Sequence, residues 1–262
     1  MPVALTVAGF DPSGGAGVVA DVKTFTAFGC FAAAAVTSLT YQNTTGVFGA
    51  AHQTAEAVRA QVEAVAEDFR VAGAKTGMLP TREVIEEVAR LFRETNLPAP
   101  VVDPVVRSTS GFDLIDDEAL EALKRELLPL ARVATPNVPE AERLTGLRIR
   151  DRDDMVKAAH IIRTLGARAV LVKGGHVEGD ATDVLLDEDG RVKTFTAARV
   201  ETTSTHGTGC TLAAAVAACL ACGLSLEESV AAGKRFVTEA IRRAPGLGRG
   251  HGPVNHAVAA AF

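Results

Sequence analysis

Buried-strand patterns and amphipathic-helix patterns alternate along almost the whole chain. Residues 3–9 form an apolar run that closes on glycine, and the turn Asp11-Pro12-Ser13-Gly14-Gly15-Ala16-Gly17 follows it. Val18, Val19, Val22, Phe25 and Phe28 then recur at helical spacing. The same reading predicts strands over 32–40, 74–78, 101–103, 133–135 and 169–173, and helices over 55–69, 117–128, 139–144 and 154–165. Thr54 is placed to cap the first of those helices, and a further helix starts at Thr81 and fades before Pro98. Segments 184–186 and 192–195 flank Asp187-Glu188-Asp189-Gly190, a hairpin-turn signature. Helices over 210–222 and 226–243 close the pattern, with Ser225 and Glu228 at capping-box spacing. Such alternation predicts an α/β fold whose mainly parallel central sheet is covered by helices on both faces. No linker, repeat or low-complexity segment interrupts it, so one domain over 1–262 is expected.

Ligands on such sheets gather at the carboxyl ends of the strands. Asp11, Gly77, Asp103, Asn137, Lys173 and Gly174 all fall at or just past a predicted strand end. The strongest local signal is Thr205-His206-Gly207-Thr208-Gly209-Cys210-Thr211, which runs into the apolar helix 212–218. Glycines let backbone N–H groups converge, and a helix start adds unpaired donors and a partial positive charge. The segment therefore predicts an anion pocket, most naturally for phosphate, formed by Gly207, Thr208 and Gly209. A cysteine in that field is expected to have a lowered pKa, so Cys210 is a candidate base.

Other positions carry two readings each. The turn from Asp11 to Gly17 is either a tight strand-to-helix connection or a loop whose backbone approaches a ligand, and it matches no lysine-bearing phosphate loop. Asn137 and Glu140 bracket Pro139 at a helix start, where capping is a complete explanation. The alternative is that they organise a hydrated Mg²⁺ beside phosphate. Lys173 either ends an exposed strand or reaches phosphates, and Asp103 before Pro104 is either a turn former or a charge facing the metal. Met78 reads as a core or pocket-wall residue. Gln42 is either a surface amide or a partner for the edge of an aminopyrimidine, since it both donates and accepts. His251 and His256 lie in a Gly/Pro-containing tail and are expected to be solvated.

Composition removes several function classes. The net charge is -5 and aromatics make up 5% of the 262 residues, which argues against nucleic acid. No uncharged apolar run reaches membrane-spanning length, and the N-terminus has no basic leader, so a cytoplasmic protein is expected. Four cysteines in a chain this long do not suggest a disulfide framework. Cys219 and Cys222 form a C-x-x-C inside a helical pattern and lack a second pair at zinc spacing, so helix packing is their expected role.

Taken in order, 8–17, 20–25, 40–44, 75–79, 135–141, 173–176 and 206–211 resemble the hydroxymethylpyrimidine/phosphomethylpyrimidine kinase family. The resemblance implies a ribokinase-like three-layer α/β/α sandwich, together with ATP, Mg²⁺ and two successive phosphorylations of 4-amino-5-hydroxymethyl-2-methylpyrimidine for thiamine synthesis. It implies that Gln42 and Met78 hold the pyrimidine with Gly9, Asp11 and Asp21 around it. Cys210 matches the family's base, and Gly207, Thr208 and Gly209 match its anion hole. Lys173, Asn137 and Lys234 match its phosphate contacts, and Asp103 and Glu140 its metal site. A homodimer is also expected. Phe10 departs from the family's small hydroxyl residue, and segment 107–111 differs from the usual loop. Pyridoxal or pyridoxine kinase is the nearer rival, and a nucleotide-dependent dehydratase or sensor on the same scaffold the more distant one.

Overall fold

The computed structural model describes residues 1–107, 114–175 and 179–260. Segment 108–111 of the divergent loop and His176 therefore lie outside the described residues. Strands β1 (Val3–Phe10), β2 (Phe31–Asn43), β3 (Gly46–His52), β4 (Val71–Thr76), β5 (Val101–Val102), β6 (Val133–Ala134), β7 (Val170–Val172), β8 (Ala181–Leu186) and β9 (Val192–Ala197) form one sheet. Among the described residues its order is β3-β2-β1-β4-β5-β6-β7-β8-β9. The central pairings are parallel, while β3 at one edge pairs antiparallel with β2, and at the other edge β8 pairs antiparallel with β7 and β9 with β8.

Helices α1 (Gly17–Ala27), α2 (Ala55–Asp68), α3 (Arg82–Glu94), α4 (Asp117–Ala122), α5 (Val138–Thr145), α6 (Arg152–Thr164), α7 (Thr208–Ala221) and α8 (Leu226–Arg242) cover the two faces. Side chains alternate across a strand, so each β1 residue faces one layer or the other. Leu5 and Val7 join the core with α2 to α6, whereas Ala4 joins the core with α1, α7 and α8. The result is three layers.

The central helix α7 decides at which end of the sheet the glycine-rich turn at 207–209 lies. Six of its 14 residues are alanine, and it is buried on every side from Thr211 to Cys219. Small side chains let its backbone lie close to the sheet. A Cβ at Gly73 of β4 would come within 2.7 Å of both Ala217 O and Ala221 Cβ. This close seating carries the N-terminus of α7 to the carboxyl ends of the strands. The strand order reverses between β1 and β4, which is where a crevice opens in folds of this type.

Several expectations shift. The strand β3 is absent from the sequence reading. It pairs with a β2 that runs on to Asn43, so Gln42 lies inside a two-stranded extension, opposite Val47. The helix expected over 117–128 breaks after Ala122 into a π-helical turn and a 3₁₀ turn. Pro129 lies in the latter, where it has no N–H to continue an α-helix. Cap readings hold at Thr54 and Ser225, and Thr81, where a helix was expected to start, caps α3. His256 is buried rather than solvated, and burial together with Lys23 and His206 pushes its pKa down to about 4. Cys219 is buried in α7 as helix packing. Cys222 sits 3.8 Å from Cys30 in sulfur-to-sulfur distance, and both are free thiols. Among the described residues, no helix is long and apolar enough to cross a membrane.

Candidate active site

A cleft of about 1050 Å³ opens along the carboxyl ends of the strands. Its lining includes Gly9, Asp11, Gln42, Met78, Asp103, Asn137, Glu140, Lys173, Lys234 and the segment from Gly207 to Cys210. All the sequence-predicted site residues except Asp21 thus come together. Asp21 lies on α1 with no exposed surface and does not line the cleft. It is a support beneath the floor: its Oδ2 accepts from Thr6 Oγ1 at 2.6 Å and from Lys75 Nζ at 2.8 Å.

At the start of α7, Gly207 adopts φ 79 and no side chain caps the helix. The first-turn N–H groups have no acceptors within the helix and border the cleft as donors. Thr208 N makes only a long bond, 3.4 Å, back to Thr205 O. Gly207 is obligatory here, because a Cβ would stand 1.8 Å from Gly15 O. Gly207→Ala is expected to cost ~2 kcal/mol or more from the left-handed backbone and the collision. Misplacing the donors should also lower turnover by about 10²-fold. Denaturant melts and steady-state kinetics on the same variant check both. Thr211 Oγ1 donates to Gly207 O at 2.8 Å and contacts His256 Nε2 at 3.0 Å, so the C-terminal tail braces the turn.

Cys210 overturns one expectation. Burial, aided by the negative charges of Asp103 and Asp21, pushes its thiol up to about 12, against the opposing pull of Lys75 and the Gly17 N–H. The helix-start field is weaker than the desolvation, so the ligand-free cysteine is a neutral thiol and not a preformed thiolate.

Lys75, to which the sequence reading gives no role, is the cation behind that thiol. Burial opposes its charge, but Asp21, with Asp103, holds its pKa above the ordinary lysine range. Burial pushes the Asp21 carboxyl up despite Lys75, and the lysine keeps the proton. A lysine within the otherwise small and apolar run of β4, Val71 to Thr76, is the signal that could have found it.

Farther along the cleft, Lys173 Nζ bonds Asp103 Oδ1 at 2.7 Å and reaches Glu140 Oε2 only at 4.0 Å. It lies close under Gly209, where a Cβ would meet it at 3.0 Å. Thr135 Oγ1 adds a 3.1 Å bond to Asp103. Asn137 and Glu140 do form the reciprocal capping box of α5, so the capping reading is realised. Lys234 Nζ is held by Asp183 Oδ2 at 2.7 Å, and Asp183 Oδ1 accepts from Gly174 N at 2.9 Å. Asp183 is a second residue that sequence reasoning missed; a lone carboxylate opening the apolar run 184–186 was its trace.

Glu140 is short of countercharge. Burial, reinforced by Asp103, pushes its carboxyl up to about 7 even though Lys173 pulls the other way. A raised acid binds its proton more tightly in the folded chain. Its contribution is therefore fullest below the unfolded value of 4.5 and is lost as pH rises through about 7. The ligand-free protein should weaken over that window by about 3 kcal/mol. Glu140→Gln, which can still accept from Asn137 N, should remove that slope in urea melts taken across the same pH range.

At the other end of the cleft, Met78 packs on Gly9, where a Cβ would meet Met78 Cε at 3.0 Å. Asp11 is not free for a ligand. It accepts from Ser13 N, Ser13 Oγ, Ala16 N and His206 Nε2 at 2.8, 2.9, 2.9 and 2.8 Å. Burial would raise its carboxyl, but the bonds from His206 and Ser13 prevail and hold it below the usual carboxylate range. Its place is structural, ordering the glycine-rich turn. His206 is a third residue missed from sequence, although it stands inside the strongest motif.

Comparison with known proteins agrees with this geometry. The family model described as phosphomethylpyrimidine kinase matches residues 11–255. The chain belongs to the phosphomethylpyrimidine kinase family. It is 48% identical over 255 residues to the hydroxymethylpyrimidine/phosphomethylpyrimidine kinase of Streptomyces coelicolor, covering 97% of this chain and 94% of that one. It is also 48% identical over 257 residues to the thiamine biosynthesis bifunctional protein ThiED of Geobacter sulfurreducens, spanning 98% of this chain but only 52% of that longer protein. Among solved structures, pyridoxal kinase of Bacillus subtilis in complex with ADP aligns with a TM-score of 0.90 at 37% identity, covering 98% and 97% of the two chains. The phosphomethylpyrimidine kinase of Clostridium difficile aligns at 0.82 and 40% identity, covering 92% and 100%. The family shares the ribokinase-like three-layer fold, and every motif segment except 20–25 contributes residues to the cleft just described.

Proposed function

We propose that this chain transfers the γ-phosphoryl group of ATP to the hydroxymethyl oxygen of 4-amino-5-hydroxymethyl-2-methylpyrimidine, and then phosphorylates the monophosphate, for thiamine synthesis. One observation carries the reading: the amides at the start of α7, the Cys210 thiol and Lys173 all border one cleft that also contains Gln42 and Met78. Met78 offers a flat apolar wall for the ring, and Gln42 a polar edge. The hydroxymethyl oxygen attacks the γ-phosphorus, the bond to the departing ADP oxygen breaks, and the hydroxyl proton passes to Cys210 Sγ in its thiolate form, the minor form near neutrality that the Lys75 cation favours. The amides of Gly207, Thr208, Gly209 and Cys210 stabilise the migrating group, with Lys173, Lys234 and Asn137 placed for the phosphates. This is positioning and charge stabilisation, the main demands of phosphoryl transfer.

Among the described residues, no group of three or more His, Cys, Asp or Glu side chains is arranged to hold a metal unaided. A hydrated Mg²⁺ needs fewer protein ligands. Asp103 and Glu140 supply hard oxygens, and the undercompensated Glu140 fits a nearby cation. When bound, Mg²⁺ would offset phosphate charge, with Asp103 and Glu140 orienting its water shell.

Timed product analysis with ATP and the pyrimidine alcohol tests the proposal. Sequential appearance of mono- and diphosphate is expected, and no transfer to the alcohol would end it. The solved pyridoxal kinases favour a second reading, a pyridine alcohol as substrate, which competition between the two alcohols decides. The reading includes a cytoplasmic homodimer. Leu39, Tyr41 and Phe48 are exposed on β2 and β3 and offer an apolar surface for it; sedimentation at low and high protein concentration is the check.

A further inference from the structure

Asp11, His206 and Gln42 form a chain of polar contacts whose hydrogens can be assigned by counting donors and acceptors. Asp11 receives four bonds, one of them from His206 Nε2 at 2.8 Å. An ionised carboxylate only accepts, so His206 must carry hydrogen on Nε2. The same nitrogen lies 3.3 Å from Gln42 Nε2, and the nitrogen and oxygen of a terminal amide are exchanged by turning it over. A ring N–H has no lone pair in the ring plane with which to accept from an amide N–H. That one hydrogen points at Asp11, so an amide NH₂ set against the same nitrogen meets N–H with N–H, whereas an amide oxygen there shares the hydrogen as a second, longer acceptor. His206 is also confined, being 8% exposed, and a Cβ at Gly15 would meet its Cδ2 at 2.5 Å.

We infer that His206 is a positioning residue for ligand specificity: bonded to Asp11, it holds the Gln42 amide with its oxygen toward the imidazole and its NH₂ group toward the ligand. This rests on the reading that the aminopyrimidine ring occupies the part of the cleft beside Gln42 and Met78. The amide then reads an acceptor on the ligand. The ring nitrogen next to the amino-bearing carbon matters more than the exocyclic amino group, because the amide oxygen is already engaged.

Three alcohols test this: the parent pyrimidine, its isostere with that ring nitrogen replaced by C–H, and its analogue without the amino group. With the unaltered protein, the C–H isostere is expected to lose about tenfold or more in kcat/KM, because the amide NH₂ is left without a partner. Loss of the amino group should cost about threefold or less. His206→Ala frees the amide to turn, and the ratio between the two analogues should close to within about twofold. That ratio cancels any loss common to all three alcohols, including a distorted turn at Gly207. Gln42→Glu gives a second measurement with His206 intact. A carboxylate has no hydrogen to donate, so the amino-free analogue should become the poorer substrate. If His206→Ala does not fold, that reversal decides alone. An unchanged ratio in His206→Ala, no reversal in Gln42→Glu, or an unaltered protein hurt more by loss of the amino group overturns the assignment. Failure to phosphorylate the parent alcohol at all overturns the functional reading, and this inference with it.

Discussion

Replacing Cys210 with alanine is expected to slow phosphorylation of the alcohol by about 10²–10⁴-fold, the usual worth of a positioned proton acceptor. Phosphorylation of the monophosphate should suffer far less. There the nucleophile is a phosphate oxygen that is already ionised and has no proton to lose. The pH dependence sharpens the test. Burial pushes the thiol up to about 12, so thiolate is scarce near neutrality and grows with pH. The first step should therefore accelerate by about tenfold per unit between roughly pH 7 and 9, and Cys210→Ala should flatten that rise. A plateau already reached near neutrality would contradict the neutral thiol. Equal losses in the two steps would contradict the role as base.

The second large effect concerns the pair beneath Cys210. Asp21→Ala is expected to destabilise the fold by about 3–5 kcal/mol, because it leaves the Lys75 charge without its partner in the interior. Lys75 and Asp21 are both without exposed surface, and bulk water reaches neither one. The double variant Asp21→Asn with Lys75→Met removes both charges and should recover most of the loss in urea melts. The introduced amide oxygen can still accept from Thr6 Oγ1. Activity should not recover with it. The cation that favours a thiolate at Cys210 is gone, so the first phosphorylation should stay slow while the protein is folded. A double variant as active as the parent would show that Lys75 is there for stability alone.

Local pattern carried much of the architecture. Apolar runs closing on glycine placed β1 and β7, and the caps at Thr54 and Ser225 and the helix start at Thr81 were readable because a cap is a contact over three or four residues. The strand β3 escaped because its pattern is weak: Gly46, Gly49 and two alanines give little alternation, and it is held by pairing to β2 rather than by burial. The glycine-rich turn at the start of α7 was legible for the same local reason as the caps, since Gly207 takes the left-handed conformation there.

Partnerships across the fold were not legible. Asp21 and Lys75 are 54 residues apart, and Asp11 and His206 are 195 apart. Each reads as a ligand contact or a plain motif position until the sheet brings its partner to it. The order of residues alone was enough for the layered α/β arrangement, the edge of the sheet where the cleft opens and the glycine-rich turn at the start of α7, since all three follow from periodicity and backbone requirements read over a few residues. Folding in three dimensions was needed to settle which carboxylates are free, that Asp21 supports Lys75 instead of lining the cleft, and that Cys210 is a protonated thiol. Those outcomes depend on desolvation and on charges from distant segments, and neither quantity exists until the chain has closed around them.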